Sequence, residues 1–247
     1  AARFAGAGRP FFAIVLPLAA ATGTLTGAEI SYRHTLATLP PAVRVDATDT
    51  IALVRDNGDY ALPPALGHLR GPVDSAFDTF YVWSQRLRLF PREREFDTAL
   101  DSAAVMFLRP QSPLGPEQTE RLAKFVLDGG RLLVVDSILN PSAAASRILE
   151  PFGMTLETAL VGDPNRALRS PRQLVRGGEP LLTDSDGQPL AAIARVGRGV
   201  VVAVAEGAGL SRAGLGTPMD DPDAAHRSRF EDVFALLREL FAAPRAK

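Results

Sequence analysis

The sequence predicts an α/β domain with a doubly wound, mixed but mainly parallel sheet, preceded by one N-terminal transmembrane helix. Three features support this prediction: an uncharged apolar segment near the N-terminus, a strand, helix and strand in close succession in mid-chain, and an amphipathic helix near the end. With 247 residues, of which 46% are apolar, the chain can bury a sizeable core.

The apolar segment at residues 11–28, FFAIVLPLAAATGTLTGA, carries no charge. Its length is at the lower limit for a helix that crosses about 30 Å of hydrocarbon. Arg3 and Arg9 precede it and Glu29 follows, so the positive-inside rule places the N-terminus in the cytoplasm and the rest in the periplasm. The alternatives are a cleaved signal peptide, with residues 26–28 as the cleavage site, and a buried element of a soluble protein.

Small residues recur every four positions in this segment, at Ala19, Gly23 and Gly27. On a helix they would form a stripe along which a second membrane helix can approach closely. Chance spacing in a chain rich in Ala and Gly is the alternative interpretation.

The chain organisation follows from this anchor. We expect a membrane anchor at residues 1–30, an extended linker containing Pro40 and Pro41 at residues 31–49, and the α/β domain at residues 50–247. The predicted location is the bacterial inner membrane, with a single pass and a periplasmic C-terminal domain. The high ratio of arginine to lysine is typical of GC-rich bacterial genomes.

The domain begins with a short β-type run at residues 50–54, followed by the turn signal Asp56-Asn57-Gly58. Residues 60–94 are harder to interpret. They contain a possible helix at residues 73–83 and a strand-like run at residues 86–90.

The clearest pattern starts at residues 103–108, a continuous apolar run of buried-strand length. A helix is predicted to begin at Pro116 and to end at Gly129 and Gly130, since proline suits the first helical turn and glycine suits its end. A second buried strand follows at residues 132–135. This succession predicts a right-handed crossover, and therefore a parallel sheet.

The last part of the domain predicts a short helix with Pro141 near its start and Gly153 after its end. It also predicts a hairpin at residues 190–206 that turns at residues 197–199, giving the sheet an antiparallel margin. The final helix shows a single apolar stripe. Its members are Phe230, Val233, Phe234, Leu237, Leu240 and Phe241.

Composition excludes several functions. The formal charge of -1 and the lack of a dense basic tract argue against nucleic-acid binding. The chain has no cysteine, which excludes disulfides, thiolate metal sites and a cysteine nucleophile.

The stretch DSAAVMFLRPQSPLGPEQTERLAKFVLDGGRLLVVDS, followed later by VGRGVVVAVAEGAGLSRAGLG and the final helix, resembles the class I glutamine-amidotransferase-like superfamily. It is most similar to the non-catalytic branch of membrane-anchored bacterial proteins of the DUF4350 type and to gliding-motility, ABC-transporter-associated auxiliary proteins. The resemblance covers residues 96–241 and implies a flavodoxin-like or amidotransferase-like sheet.

The resemblance also implies that this chain is not an enzyme. The active amidotransferases carry a cysteine on a glycine-flanked elbow where this chain has Asp136-Ser137, without cysteine or flanking glycine. A serine hydrolase built from Ser137, His226 and Glu206 is a remote alternative, since a serine nucleophile favours a G-x-S-x-G turn and a histidine base.

Ligands of open α/β sheets bind beyond the carboxyl ends of the parallel strands. The candidate crevice residues are therefore Arg109, Asp136, Ser137 and Glu206. The alternative is that Asp136 and Ser137 cap the helix expected near Pro141.

Two acidic loops carry oxygen ligands of the kind that calcium prefers. The aspartates at positions 220, 221 and 223 are interpreted as turn and helix-start residues, and residues 184–187 as a turn, because the later glutamate of a calcium loop is missing. We predict no metal or cofactor.

The prediction is thus a non-enzymatic, membrane-anchored accessory or scaffolding subunit of a larger bacterial membrane complex for transport, motility, or electron transfer and photosynthesis. Its partners would be the other subunits, and the lipid bilayer through residues 11–28. A small-molecule-binding module that uses the strand-end crevice is the alternative.

Overall fold

The computed structural model describes residues 8–38, 49–60, 62, 76–161, 170–217 and 222–242. Helix α1 spans Gly8–Thr38, and its side chains before Pro17 lie outside the described residues, so the predicted anchor is described only in part. In the described part of the chain, no helix is both long and apolar enough to span a bilayer. Helix α1 runs past residue 30, where the linker is predicted to begin, with an ion pair of 2.6 Å between Glu29 and Arg33 on neighbouring turns.

A seven-stranded sheet forms the centre of the domain. The strands of the described residues are β1 (Asp49–Val54), β2 (Leu89–Arg94), β3 (Ala104–Leu108), β4 (Arg131–Val135), β5 (Thr155–Val161), β6 (Ser170–Arg176), β7 (Glu179–Thr183), β8 (Pro189–Val196) and β9 (Gly199–Val204). The sheet order is β2-β1-β3-β4-β9-β8-β7. The first five of these strands run parallel, and β8 and β7 add the predicted antiparallel margin. Strands β5 and β6 form a separate antiparallel pair.

Helices cover both faces of this sheet, which confirms the doubly wound architecture. They are α2 (Asp78–Ser84), α3 (Phe96–Ala99), α4 (Pro116–Leu127), α5 (Ala144–Leu149), α6 (Arg212–Leu215) and α7 (Ala224–Phe241). Apolar residues of α3, α4 and α5 pack in the core on one face, and those of α2, α6 and α7 pack in the core on the other face.

Three elements predicted from local pattern are confirmed. Helix α4 begins at Pro116, and Gly129 follows its end with a φ of 112°, the left-handed conformation that glycine adopts without penalty. The β8–β9 hairpin turns at Gly197, with a φ of 59°. The apolar stripe of α7 is buried at all six predicted positions.

The predictions for residues 73–94 are wrong in detail. The described helix begins at Asp78, and the strand runs over Leu89–Arg94 rather than over residues 86–90. Strand β2 contains Pro91, which obscures the strand pattern in sequence. The proline is accommodated because β2 is an edge strand, which among the described residues pairs with β1 alone.

Candidate functional site

Polar side chains collect at the carboxyl ends of β1, β3 and β4, where open α/β sheets bind ligands. Arg109 follows β3 directly, and Asp136 and Ser137 follow β4. We call this group the strand-end cluster. Its members are Asn57, Arg109, Gln111, Asp136, Ser137, Asn140 and Gln173.

Asp136 is the centre of the cluster. Its side chain is 1% exposed, and its carboxylate accepts hydrogen bonds from Asn140 Nδ2 at 2.8 Å, from the Ser137 backbone and from the Gln173 side chain. Burial raises the pKa of Asp136 to about 6, although these hydrogen bonds and the nearby charge of Arg109 favour the ionised form. The carboxylate is therefore held in place by its neighbours, and with a pKa of about 6 it changes charge only slightly below neutral pH.

Arg109 adopts an uncommon backbone conformation, with a φ of 46° in the left-handed region. Its backbone N–H donates to the carbonyl oxygen of Val135 at 2.7 Å, and its guanidinium lies 3.4 Å from a carboxylate oxygen of Asp59. Such a conformation costs roughly 1–3 kcal/mol and persists only where the surroundings enforce it. Among the described residues, the buried Nε of Arg109 has no hydrogen-bond partner.

Amide side chains connect the loops that follow the three strands. Asn140 Nδ2 donates also to the carbonyl oxygen of Pro110 at 3.1 Å, and Asn140 Oδ1 accepts from Gln111 Nε2 at 3.0 Å. Asn57 Oδ1 accepts from the backbone N–H groups of Gln111 and Ser112 at 3.2 and 3.0 Å. The polar groups of the cluster are thus used mainly to hold the loops to one another.

The capping interpretation of Asp136 and Ser137 is wrong. Helix α5 begins at Ala144, three residues after Pro141. Its N-cap residue is Ala143, whose side chain makes no capping hydrogen bond. The hydroxyl of Ser142 instead accepts from the Ala144 backbone N–H at 3.1 Å. The loop that Asn140 anchors separates Asp136 from the helix start.

Glu206 does not join the other three candidate crevice residues. Side chains alternate between the faces of a strand. Asp136 lies two residues after Val134 and therefore faces the same side of the sheet as Leu132 and Val134, which pack with α4 and α5. Glu206 lies two residues after Val204 and therefore faces the side of Val204, which packs with α7. The sheet therefore divides the predicted crevice: the Arg109 charge lies near the Asp136 carboxylate, which Ser137 contacts through its backbone, and Glu206 lines a pocket beside α7.

The remaining candidates lie apart from the strand-end cluster. His226 is in the first turn of α7, with Nδ1 3.2 Å from the Asp223 carboxylate, on the face of the sheet opposite Asp136. Asp220 and Asp221 lie outside the described residues. Among the residues that the structure describes, no group of three or more potential ligands could hold a metal ion. The predicted turn at residues 184–187 is confirmed, since Asp184 Oδ1 accepts from two backbone N–H groups of the turn.

The stripe of small residues lies on an exposed stretch of α1. A Cβ atom added to Gly23 or Gly27 would meet no other atom within 4 Å, and Ala19 lines the same shallow groove. Helix packing along this stripe stays a prediction.

Several members of the cluster were missed by sequence analysis. The local sequence marks Asn57 only as part of a turn, although its place after a buried strand is a usable signal. Gln173 reaches Asp136 from β6, and nothing in the local sequence indicates that meeting.

No family model and no curated protein matches the chain. A solved structure titled mmIFT52 N-terminal domain aligns with 80% of this chain and 100% of its own length, at 14% identity and a TM-score of 0.53. The exo-beta-1,4-mannosidase Op5Man5 from Opitutaceae bacterium strain TAV5 aligns with 64% of this chain at 17% identity and a TM-score of 0.36. Gan42B, a GH42 beta-galactosidase, aligns with 81% at 13% identity and a TM-score of 0.40. This chain covers 31% of each glycosidase, and those two likenesses are too distant to support an argument. The chain shares a fold with the mmIFT52 N-terminal domain.

Proposed function

We propose that this protein is a non-enzymatic accessory or scaffolding subunit of a larger bacterial membrane complex and that it acts through protein–protein contacts. One observation carries the proposal. At the place where a doubly wound enzyme presents its reactive group, Asp136 and Ser137 are only 1% and 4% exposed, and the Asp136 carboxylate is engaged by Asn140 and Gln173. A reactive group must reach its substrate, whereas Ser137 is buried and the Asp136 carboxylate secures the surrounding loops.

The residues that follow support a contact function. Ile138 and Leu139 are 39% and 55% exposed, so the loop after β4 presents two adjacent apolar side chains to its surroundings. Burying such side chains against a partner is favourable by about 25 cal/mol for each Å² removed from water. A partner bound at this tip would cover the carboxyl end of the central strand.

Membrane attachment is the second part of the proposal. Leu18, Leu25 and Ile30 of α1 are 68%, 72% and 64% exposed, and a long helix with uncovered leucine and isoleucine is best stabilised by lipid or by other helices. With the uncharged segment at residues 11–28, this supports an inner-membrane anchor and a periplasmic domain. The resemblance to non-catalytic amidotransferase-like subunits supports the same assignment, and transport, motility or electron-transfer complexes are the candidate hosts.

Mild-detergent purification tests the proposal. The tagged full chain, expressed at its natural level, should co-purify with other membrane subunits in fixed proportion. A chain that runs alone and monomeric in several mild detergents would overturn the scaffold function.

A matched pair of variants tests the contact surface. The double variant Ile138→Ser, Leu139→Ser should lose the co-purifying partners, while the temperature at which the domain unfolds stays nearly unchanged. Leu127→Ser is the control, because Leu127 is 51% exposed at the end of α4, toward the opposite end of the sheet. Equal retention of partners by both variants would rule out the Ile138–Leu139 tip as the contact.

A further inference from the structure

A small pocket lies between the antiparallel margin of the sheet and helix α7, on the face opposite the strand-end cluster. It encloses about 100 Å³ and is walled mainly by aliphatic side chains. These are Leu182, Leu190, Val204, Leu210, Val233 and Leu236. Because a water molecule occupies about 30 Å³ in the liquid, the space fits roughly three or four methyl or methylene groups.

Three charged side chains line the same pocket: Glu206, Arg229 and Asp232. Arg229 Nη1 and Glu206 Cγ lie 3.4 and 3.9 Å from the point that a Cβ on Gly209 would occupy, so these two side chains flank Gly209. Within the described part of the chain, none of the three forms an ion pair within 4 Å, although the charge of Arg229 acts on Asp232. Burial raises the pKa of Asp232 above its ordinary value, against the opposing effect of Arg229.

This arrangement selects a ligand by charge and shape. An aliphatic wall favours a short branched hydrocarbon group, a guanidinium binds a carboxylate in a forked geometry, and two carboxylates favour an ammonium group. Glu206 and Asp232 are half-buried and Arg229 is exposed. A simple fatty acid would therefore leave the two half-buried carboxylates uncompensated, and a simple amine would not use the guanidinium. A small apolar amino acid satisfies all of these groups together.

We propose that this pocket binds an apolar α-amino acid of the size of valine or leucine, with its side chain against the aliphatic wall, its carboxylate on Arg229 and its ammonium group between Glu206 and Asp232. The site goes beyond the scaffold function and is independent of it. It would give the subunit a means of responding to a small molecule.

The test is a titration of the full chain in detergent, followed by saturation-transfer NMR of the ligand. Leucine should bind saturably. Isoamylamine, which is leucine without the carboxylate, and isocaproate, which is leucine without the ammonium group, should each bind at least roughly tenfold more weakly, because each loses a charged hydrogen bond. No saturable binding of leucine, or equal binding of the amine, would overturn the proposal.

Variants assign the charges. Arg229→Gln should weaken leucine roughly tenfold and leave isoamylamine unchanged, whereas Asp232→Asn should weaken both ligands. Glu231→Gln is the control, because Glu231 is exposed and lies outside the pocket on the same helix. Undiminished leucine binding by both pocket variants would place the ligand elsewhere and overturn the assignment.

Discussion

Ionised Asp136 is expected to lower the stability of the domain at neutral pH, so the Asp136→Asn variant should be more stable there than the natural protein. Burial raises the pKa of Asp136 from 3.8 to about 6. Between these pH values the unfolded chain has released this proton while the folded chain retains it. The contribution of Asp136 to the free energy of unfolding is therefore greatest below pH 3.8, falls as the pH rises toward about 6, and is constant above that.

The size of this effect follows from the pKa difference. A difference of about 2.2 corresponds to roughly 3 kcal/mol, at about 1.4 kcal/mol for each pKa unit. The asparagine amide keeps an acceptor for Asn140, and its new N–H group can donate to Gln173 Oε1 after the Gln173 amide turns over, because the N–H end of that amide faces Asp136 in the natural protein. Gln173 Oε1 is a buried acceptor without a partner among the described residues. Because the exchange also weakens existing hydrogen bonds, we expect a net stabilisation of about 1–3 kcal/mol at high pH and little at low pH.

Urea unfolding at a series of pH values, followed by fluorescence, measures this directly. The chain has one tryptophan, Trp83, which is 3% exposed and reports on the core. Subtracting the two stability curves cancels the other groups that titrate in both proteins. A difference that stays constant from acidic to mildly alkaline pH, or a variant that is less stable above neutrality, would refute the reasoning.

Three further variants test one member of the strand-end cluster and two packing contacts elsewhere in the domain. Arg109→Ala removes a charge that favours ionised Asp136, so the pKa of Asp136 should rise further. In the same pH series, the pH range over which the domain loses stability should then extend upward. Gly199→Ala should cost about 2–4 kcal/mol in urea unfolding, because the added Cβ would overlap backbone carbonyl oxygens at and after the end of α4. Arg212→Met leaves Asp78, whose side chain is 4% exposed, without its ion-pair partner at 2.6 Å. It should lower stability by about 3–5 kcal/mol in thermal unfolding, and adding Asp78→Leu should recover much of the loss.

The parts of the fold that the sequence predicted are those set by local chemistry. Pro116 and Gly129 mark the ends of α4 because backbone conformation and the missing proline N–H act within one turn. The apolar stripe of α7 follows from helical spacing alone. The sequence places strand β2 wrongly because Pro91 locally disfavours a strand. The pairing of β2 with β1, about 40 residues away in the chain, stabilises the strand all the same.

The site was predicted less well, for a related reason. Arg109 and Asp136 could be placed together because each directly follows a parallel strand, and parallel strands end at one edge. Ser137 comes one residue later and contacts Asp136 through its backbone. Glu206 follows such a strand as well, but strand alternation sends its side chain to the opposite face. The partners Asn140 and Gln173 depend on a loop and on the separate β5–β6 pair, which no local pattern specifies.

The division of the polar groups by the sheet makes the two proposed roles separable. On one face, Gln173 and Asn140 bond Asp136, so the strand-end cluster links the β5–β6 pair and the loop after β4 to the main sheet. On the other face, Glu206 shares its pocket with Arg229 of α7, outside that network. Asp136→Asn should therefore change stability and its pH dependence while leaving leucine binding unchanged, and Arg229→Gln should do the reverse. If either variant strongly altered both stability and leucine binding, the two faces of the sheet would be energetically coupled. The cluster and the pocket would then have to be treated as one site.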